Sequence, residues 1–257
     1  MSRSSRLVRS PLLAEAGFSH GFTTRLDGVS TGRYQSLNVG GKWGDDPDAV
    51  RHNRELVAND GGFALASLYT AKQVHGARVL VVDGSATLAE EADALTTTTQ
   101  GHAVGVYTAD CVPILVGDRD GRVAAAHAGW RGALDGVVQA AVDAMVELGG
   151  DPDRMVAAVG PCIGPASYEV GLEFLERFEA DSPGSGQFFH PDKTDTKRMF
   201  DLPAFVLDRL RTAGIERREW VGHDTCAQAE LFFSNRRAVL NGEGDYGRLL
   251  SAIALDA

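Results

Sequence analysis

The stretch Arg122-Val-Ala-Ala-Ala-His-Ala-Gly-Trp-Arg-Gly132 decides the fold class, because it joins a strand pattern directly to a helix pattern. Its first half is an almost purely aliphatic run, which is typical of a buried strand. From residue 133 to residue 148 the apolar positions recur at helical spacing, and Gly149-Gly150 supplies a stop signal. A strand that passes at once into a helix is typical of α/β proteins.

Similar patterns extend outward from this stretch in both directions. Short apolar or β-branched runs predict further strands at residues 78–83, 102–107, 113–117 and 155–159. Helical spacing predicts helices at residues 46–58, 171–180 and 202–213, the first with a proline at its first helical position. The elements interleave without a strict βαβ alternation. We therefore expect one mixed α/β domain in which strands are sandwiched by helices.

Length and composition agree with one ordinary globular domain. The chain has 257 residues, of which 44% are hydrophobic and 23% charged, a length at the upper limit for a single core. No internal repeat or low-complexity linker is visible, so we expect the domain to cover residues 17–257. Residues 1–16 are predicted to be a loose tail. No apolar run approaches the roughly 20 residues of a membrane span, and no secretory signal is recognisable.

The charge balance restricts the possible partners. A net charge of −10 argues against general binding of nucleic acid, which needs a basic surface. A local arginine cluster could still hold a phosphate on such an acidic protein. Three cysteines in unlike contexts do not form a disulfide framework, so a cytoplasmic protein is expected. The oligomeric state cannot be read from these features.

Three side chains at predicted strand ends are candidates for chemistry. His75 precedes a strand, Cys111 lies in a polar interruption between two strands, and His127 ends the strand of the opening stretch. Each alone also fits a structural role, as a hydrogen-bonded histidine or a small buried thiol. Asp110 argues against simple burial of Cys111, because a carboxylate beside a core thiol needs a partner. Together the three match a catalytic zinc site with one open position for water or substrate.

A possible phosphate site lies beside His127. The glycines that follow His127 and the predicted helix start provide free backbone N–H groups, and Arg131 can reach the same mouth. No Gly-Lys-Ser/Thr follows, so the segment is not a P-loop.

Seven blocks of sequence resemble the laccase-domain family, formerly called multicopper polyphenol oxidoreductase-like and now associated with purine nucleoside phosphorylase activity. They occur in the family's order, from about residue 17 to the C-terminus. The blocks are Gly21-Phe-Thr-Thr-Arg-Leu-Asp-Gly-Val-Ser-Thr-Gly32, Ser36-Leu-Asn-Val-Gly40, Gln73-Val-His-Gly76, Thr108-Ala-Asp-Cys-Val-Pro113, His127-Ala-Gly-Trp-Arg-Gly132, Gly160-Pro-Cys-Ile-Gly-Pro165 with Ser167-Tyr-Glu-Val-Gly171, and Asp224-Thr-Cys226.

The resemblance implies a single α/β domain and a zinc ion held by His75, Cys111 and His127. It also implies phosphorolysis of adenosine, inosine, guanosine and 5′-methylthioadenosine, together with hydrolytic deamination of adenosine. The expected partners are therefore a purine nucleoside and phosphate. Within this family frame Asp110 is a candidate proton shuttle and Arg131 a candidate phosphate clamp. Asn38 is a candidate polar contact to the nucleoside.

One region departs from the family pattern. Where the family usually has Tyr-Ser-Tyr/His-Arg and then Thr-Gly-Arg, this chain has Phe233-Ser-Asn-Arg236 and Tyr246-Gly-Arg248. If that region lines the pocket, substrate preference differs from that of other members.

Three other functions remain open at this point. A copper-dependent polyphenol oxidase needs many histidines, usually in His-x-His pairs, and this chain has seven histidines and no such pair. Copper could nevertheless bind in vitro, because copper outcompetes zinc at most such ligands. Cys111 and His127 could instead form a metal-free thiolate–imidazole pair. Some bacterial relatives are linked to peptidoglycan editing, which here would act on cytoplasmic precursors.

Three further residues have no assigned role. Cys162 fits a rigid turn better than a nucleophile, and Glu169 fits either a capping or a supporting carboxylate. Cys226 fits simple packing.

Overall fold

This computed structural model describes residues 6–41, 44–83 and 90–256. The helices are α1 (Pro11–Glu15), α2 (Pro47–Gly61), α3 (Trp130–Leu134), α4 (Val137–Glu147), α5 (Leu172–Asp181), α6 (Leu202–Thr212) and α7 (Asn235–Leu240). The strands are β1 (Leu7–Val8), β2 (Ser19–Thr23), β3 (Leu68–Tyr69), β4 (Val79–Val81), β5 (Ala94–Thr97), β6 (Ala103–Thr108), β7 (Val112–Asp118), β8 (Arg122–Ala128), β9 (Met155–Val159), β10 (Glu169–Gly171), β11 (Phe189–Pro191), β12 (Lys197–Phe200), β13 (Arg217–Trp220) and β14 (Leu249–Ala254).

The strands form two large sheets and one small one. The six-stranded sheet has the order β13-β9-β7-β8-β5-β4, and the five-stranded sheet has the order β1-β2-β14-β6-β3. Both are mixed: β13 pairs with β9 in parallel, whereas β7 pairs with β8 and β9 antiparallel. The small sheet, β10-β12-β11, lies outside this pair. The absence of a strict βαβ alternation in the sequence is explained by these antiparallel neighbours.

Alternation along the central strands divides the core into layers. Leu115 and Ala125 of the six-stranded sheet belong to one buried cluster with Val104 and Ile253 of the five-stranded sheet. The intervening residues, such as Ile114, point to the other face and pack against α4 and α6. Because side chains alternate between the faces of a strand, one strand can serve both layers. The two large sheets therefore pack face to face.

Helices cover the outer faces of this pair of sheets. Apolar residues of α4 and α6 pack on the six-stranded sheet, including Val138, Met145 and Phe205. Val57 of α2 packs with Leu250 on the outer face of the five-stranded sheet. The prediction of a mixed α/β domain with strands between helices is confirmed. Within the described ranges, no helix combines the length and apolar character that crossing a bilayer requires.

The helix predicted over residues 133–148 is wrong as a single element. The structure has α3, a break, and then α4, and Gly136 at the break adopts φ +92. Left-handed backbone is accessible to glycine at little cost but interrupts a right-handed helix. The apolar spacing continued across the break, so the pattern alone did not reveal it. The other predicted elements agree with the structure to within a few residues at their ends.

The predicted loose tail is also wrong for its described part. Residues 1–5 lie outside the described residues, but residues 6–16 contain β1 and α1. Leu7 and Leu13 are buried, and Ser10 caps α1 by accepting a hydrogen bond from the backbone of Leu13. Pro11 follows the cap at the first helical position, where proline is favoured. The polar sequence at the N-terminus therefore predicted a loose tail where the chain forms a strand and a capped helix.

His20 ties this N-terminal segment to the sheet and makes stability depend on pH. Its Nε2 accepts from the backbone N–H of Ser10, and its Nδ1 donates to the carbonyl of Phe18. Burial lowers the pKa of His20 below 6.5, and the charge of Arg9 lowers it further. As the pH falls, His20 is therefore protonated in the unfolded chain before it is protonated in the folded protein. The contribution of His20 to the free energy of unfolding is fully present above pH 6.5 and is lost as the pH falls through the pKa of His20 in the folded protein.

We expect the free energy of unfolding to fall between pH 7 and pH 5, with a His20 contribution of up to about 1.4 kcal/mol per pH unit. A His20→Gln protein should show a flatter profile over this range. Urea unfolding of both proteins at several pH values measures the difference. Parallel profiles for the two proteins would contradict this assignment.

Candidate metal centre and its cavities

Strand pairing brings two of the three predicted ligands together. In the β7–β8 pair Pro113 lies opposite His127, so Cys111, two residues before Pro113, lies beside the end of β8. On the other side of β8, Ala94 of β5 pairs with Ala126. This places Asp93 next to His127, whose backbone N–H donates to the Asp93 carbonyl over 2.7 Å.

Asp93 joins both histidines through one buried carboxylate. Its Oδ1 lies 2.8 Å from Nδ1 of His127 and also accepts from the backbone N–H of His75 over 2.9 Å. Its Oδ2 accepts from Gly76 over 2.7 Å and from Val74 over 3.2 Å. Burial raises the pKa of Asp93, but the hydrogen bonds from His127 and these backbone groups outweigh burial and lower it. The carboxylate therefore orients the His127 ring, leaving Nε2 for a ligand.

Asp93 was not predicted from the sequence. One signal was available, because Asp93 directly precedes the short segment Ala94-Leu-Thr-Thr97, which has residues typical of a strand, and a carboxylate at a buried strand needs a partner.

The three predicted ligands converge. One donor atom from each of His75, Cys111 and His127 lies within 4.8 Å of the others. Sγ of Cys111 is 3.8 Å from Nε2 of His75. The two imidazole rings meet edge to face, with centroids 4.7 Å apart and planes at 82°. In residues 6–41, 44–83 and 90–256 no other group of His, Cys, Asp and Glu has this spacing.

Local backbone conformation allows this convergence. His75 adopts φ +61, a left-handed conformation that is uncommon for a residue with a side chain. A Cβ on Gly129 would lie 2.7 Å from Cδ2 of His75 and 3.2 Å from Sγ of Cys111. Only glycine fits at this position, so the lack of space for a side chain explains the glycine in His-Ala-Gly-Trp-Arg.

The charges within the cluster favour a thiolate. Burial would raise the pKa of the Cys111 thiol, but the His127 and His75 rings lower it to about 6. Burial would lower the pKa of His127, but Cys111 and Asp93 raise it to about 9. The thiolate is the form of cysteine that binds metals and acts as a nucleophile.

The donor set fits a zinc ion. Zinc ligated at about 2.1 Å by nitrogen and 2.3 Å by sulfur in a tetrahedron separates such donors by about 3.6 Å, close to the 3.8 Å between Cys111 and His75. Asp93 provides the supporting carboxylate that ligating histidines usually have. An ion held by these three residues would keep one coordination position open for a further ligand.

Asp110 lies behind the cluster and holds the Cys111 loop. It adopts φ +87 and is only 7% exposed. Its Oδ1 accepts from the Thr225 hydroxyl over 2.6 Å, and its Oδ2 accepts from the Ser234 hydroxyl and the Arg236 backbone N–H over 2.9 and 2.6 Å. Burial raises the pKa of Asp110 against these hydrogen bonds. The carboxylate thus fastens the Cys111 loop to the start of α7.

Two cavities meet at the cluster, and both include His75 and Cys111 in their walls. The larger one, about 520 Å³, is polar and cationic and is here named the polar cavity. Its further walls include Arg54, Lys72, Tyr107, Tyr246 and Arg248. The smaller one, about 380 Å³, is here named the aromatic cavity, and its further walls include Trp130, Ile163, Tyr168, Leu202 and Arg236.

Two predicted substrate contacts, Asn38 and Arg131, are not among the residues that line either cavity. Asn38 is 1% exposed, and its amide donates to Asp45 and accepts from the backbone N–H of Arg248. It therefore supports the polar cavity from behind. Arg131 is exposed, with its guanidinium 5.3 Å from the centre of the Trp130 ring, and it is not among the residues that line either cavity. Whether a side chain is buried and which way it points depend on tertiary packing, and its position in a sequence motif does not predict them.

The region that departs from the family pattern lines the cavities. Asn235 contributes to both of them, Arg236 to the aromatic cavity, and Tyr246 and Arg248 to the polar cavity. These residues are therefore in a position to contact a substrate, and a substrate preference different from that of other members stays a prediction.

The residues without a predicted role lie around the site. Cys162 is fully buried, and burial together with Asp224 raises the pKa of its thiol, so it suits packing rather than nucleophilic attack. Glu169 is exposed, and its carbonyl accepts from Arg236. Cys226 is half-buried, and its backbone N–H donates to Asp224.

Comparison with known proteins agrees with this geometry. Residues 19–256 match the family described as multi-copper polyphenol oxidoreductase laccase. The chain is 47% identical to a purine nucleoside phosphorylase of Streptomyces coelicolor, over 93% of this chain and 96% of the relative. It is 39% identical to the purine nucleoside phosphorylase YfiH of Escherichia coli, over 86% and 88% of the two chains.

Solved structures show the same fold. A protein of Neisseria meningitidis superimposes with a TM-score of 0.86 at 35% identity, over 98% of this chain and all of that one. YlmD of Geobacillus stearothermophilus gives a TM-score of 0.86 at 29% identity, over 100% and 98% of the two chains. With a matching family model over nearly the whole chain and relatives of this identity, the protein belongs to the multi-copper polyphenol oxidoreductase laccase family.

Proposed function

We propose that this protein is a zinc-dependent purine nucleoside phosphorylase, with adenosine deamination as a second activity. Its substrates would be phosphate and adenosine, inosine, guanosine or 5′-methylthioadenosine, and its products a free base and a ribose 1-phosphate. The observation that carries the proposal is the cluster of His75, Cys111 and His127 where a cationic cavity meets an aromatic one. The names of the relatives support the reaction class. A cytoplasmic location stays a prediction.

Zinc is proposed rather than a set of copper ions. Two imidazoles and one thiolate with an open position suit a catalytic zinc ion. A multicopper oxidase needs several histidine-rich sites, and the described part of the chain offers one three-residue group. When bound, zinc supplies Lewis acidity to an oxygen atom of substrate or water.

The polar cavity is suited to phosphate. Arg54 is held by a hydrogen bond from Nε to the carbonyl of Val39, and its guanidinium lies 5.4 Å from the centre of the Tyr107 ring. Arg248 stacks on Tyr246 at 3.7 Å. Guanidinium groups fixed in this way bind phosphate with little loss of side-chain freedom. The buried hydroxyl of Thr108 in this wall has no hydrogen-bond partner among the described residues and could bind a ligand.

The aromatic cavity is suited to the purine base. Trp130 and Tyr168 contribute aromatic surface to its wall, and Arg236 lies 5.4 Å from the centre of the Tyr168 ring. With the base here and phosphate in the polar cavity, the ribose C1′ would lie at the junction. A phosphate oxygen then forms the new bond to C1′ while the glycosidic bond breaks and its electron pair leaves with the base. Asn235, in both walls, is placed to donate a hydrogen bond to that base.

Asp110 takes a positioning role in this proposal. Its two oxygens already accept three hydrogen bonds from Thr225, Ser234 and Arg236. Asp110 also lines the aromatic cavity, but a proton shuttle needs a carboxylate oxygen that is free to exchange a proton with the substrate, and both oxygens of Asp110 already accept hydrogen bonds. Deamination requires C6 of adenine at the cluster, so the nucleoside would bind in a second orientation for that reaction.

The decisive test is incubation of metal-assayed protein with adenosine, with and without phosphate. We expect adenine and ribose 1-phosphate when phosphate is present, and slow formation of inosine without it. Chromatography of the bases separates these products. Formation of neither adenine nor inosine would refute the proposal.

Arg54→Ala tests the placement of phosphate. Removing one charged hydrogen-bond donor should raise the KM for phosphate roughly ten- to a hundredfold, with a smaller effect on the KM for adenosine. Arg51→Ala is the matched control, because Arg51 is exposed on the same helix one turn earlier and pairs only with Asp48 and Glu55 among the described residues. Equal KM values for phosphate in the wild type and Arg54→Ala would place phosphate elsewhere.

One alternative has a specific observation in its favour. The shifted pKa values of Cys111, about 6, and His127, about 9, also describe a thiolate–imidazolium pair able to act as a nucleophile without metal. Chelation distinguishes the two. Activity that survives removal of the metal but is lost on alkylation would favour the pair, and loss of activity on chelation would favour zinc.

A further inference from the structure

A third cavity lies behind the wall of the polar cavity. It has a volume of about 420 Å³ and is here named the arginine cavity, because Arg25, Arg33 and Arg237 line it. Glu243 is the one carboxylate among its lining residues. Tyr246 lines both this cavity and the polar cavity.

Backbone carbonyls hold two of these arginines in place. Arg25 donates to the carbonyls of Gln35 and Ala229 over 2.9 and 3.0 Å, and its guanidinium lies 4.5 Å from the centre of the Phe233 ring. Arg237 donates to the carbonyls of Thr225 and Cys226 over 2.7 and 3.0 Å, and to that of Phe232. These contacts fix the guanidinium groups without neutralising their charge.

The positive charge in this cavity is poorly compensated. Within the described ranges, none of Arg25, Arg33 and Arg237 has a carboxylate oxygen within 4.0 Å, whereas ten other arginines do. Burial lowers the pKa of Arg25 and the neighbouring charge of Arg237 lowers it further, while the charge of Glu243 offsets part of this shift. Two like charges in a half-buried position repel each other, and an anion between them would relieve this cost.

We propose that the arginine cavity is a second anion site, which binds the phosphate group of a small ligand and is distinct from the site of substrate phosphate. Pre-positioned guanidinium groups are the side chains best suited to phosphate oxygens. The exposed Arg33 lies at the rim beside Gly244, where a Cβ would come within 3.4 Å of its guanidinium. The volume exceeds that of a bare phosphate, so a small group attached to the phosphate would also fit in the cavity.

One wall residue of the arginine cavity contacts Asp110, which supports the cluster of His75, Cys111 and His127. Ser234 in its wall donates to Asp110, which anchors the Cys111 loop, and accepts from the backbone N–H of Arg237. A ligand here would therefore contact the residues behind the cluster without entering the catalytic cavities.

Titration calorimetry of the metal-loaded protein with inorganic phosphate tests the proposal. We expect two classes of site in the wild type. Arg33→Glu should weaken one class at least about tenfold, since it replaces an attractive charge by a repulsive one, while Arg54→Ala weakens only the other. Arg217→Ala is the control, because Arg217 is exposed on β13 and lies outside the three cavities. Arg33→Ala provides a milder second variant.

Two outcomes would overturn the proposal. The first is a phosphate isotherm of Arg33→Glu identical to that of the wild type. The second is a single class of site that Arg54→Ala removes. The same titration with ribose 5-phosphate distinguishes the sources of the phosphate group: tighter binding at the Arg33-dependent site identifies a sugar phosphate, and equal or weaker binding identifies free phosphate.

Discussion

Cys111→Ala is expected to leave the protein folded but without its metal, and to lower adenosine phosphorolysis at least about a thousandfold, since a lost metal removes several kcal/mol of transition-state stabilisation. Cys111 supplies the only anionic donor of the three-residue group. Its removal leaves two imidazoles, and the side chain lost is small and half-buried, so the surrounding packing has little to lose. Metal content, circular dichroism and phosphorolysis rate measured on the same preparation check all three expectations.

Cys226→Ala is the matched control for this variant. Cys226 is also a half-buried free thiol, but it lies outside the ligand group. It should retain metal and activity. Wild-type protein purified without added metal should contain about one zinc ion per chain and no stoichiometric copper. A folded Cys111→Ala protein with full phosphorolysis would refute the metal-centred account.

Asp93→Asn is expected to produce the second large effect. An amide retains the shape of the carboxylate but replaces one acceptor oxygen by a donor, so it cannot accept from His127, His75 and Gly76 together. Loss of such a supporting carboxylate typically lowers metal affinity and activity about 10- to 100-fold. Competition for zinc with a chromophoric chelator measures the affinity, and the phosphorolysis rate at saturating zinc separates lost affinity from misplaced ligands.

Asp118→Asn is the control that separates an effect on the metal site from a general loss of stability. Asp118 is equally buried, in β7, and pairs with Arg122 over 3.3 Å at the end of the strand remote from Cys111. We expect this variant to lose stability but to keep the zinc affinity of the wild type. Equal losses of zinc affinity in both variants would mean that Asp93 acts only through the stability of the sheet.

The sequence was most informative where local pattern and final environment agree. The strand at residues 155–159 was predicted with its observed limits, because a short aliphatic run before Gly160-Pro161 has few other conformations. His75, Cys111 and His127 were predicted as a group from strand ends and from resemblance, and the structure brings them together. Face-to-face packing of two sheets was not predicted, since it depends on which long-range strand pairs form.

The substrate-binding roles of Asn38 and Arg131 stay predictions, because the surroundings of a side chain decide its role. Asn38 lies in a shared motif, but its amide is used within the protein to support Arg248. Arg131 follows the helix start as expected, yet its guanidinium lies over Trp130 on the surface. Arg54 was not singled out, because only the packing of α2 against the five-stranded sheet brings it into the polar cavity.

The carboxylate shared by the two histidines has a consequence for how the proposed metal site would be filled. Because Asp93 holds the His127 ring and the His75 backbone from the protein side, the ligands are arranged by the fold and not by the ion. Metal then stabilises the protein only by mass action, by about 4 kcal/mol at a concentration a thousand times its Kd. A preformed site of this kind exchanges ions according to their supply and their intrinsic order of affinity, in which copper stands above zinc. The metal ion found in purified protein would therefore depend on the metals in the growth medium as well as on the three ligands.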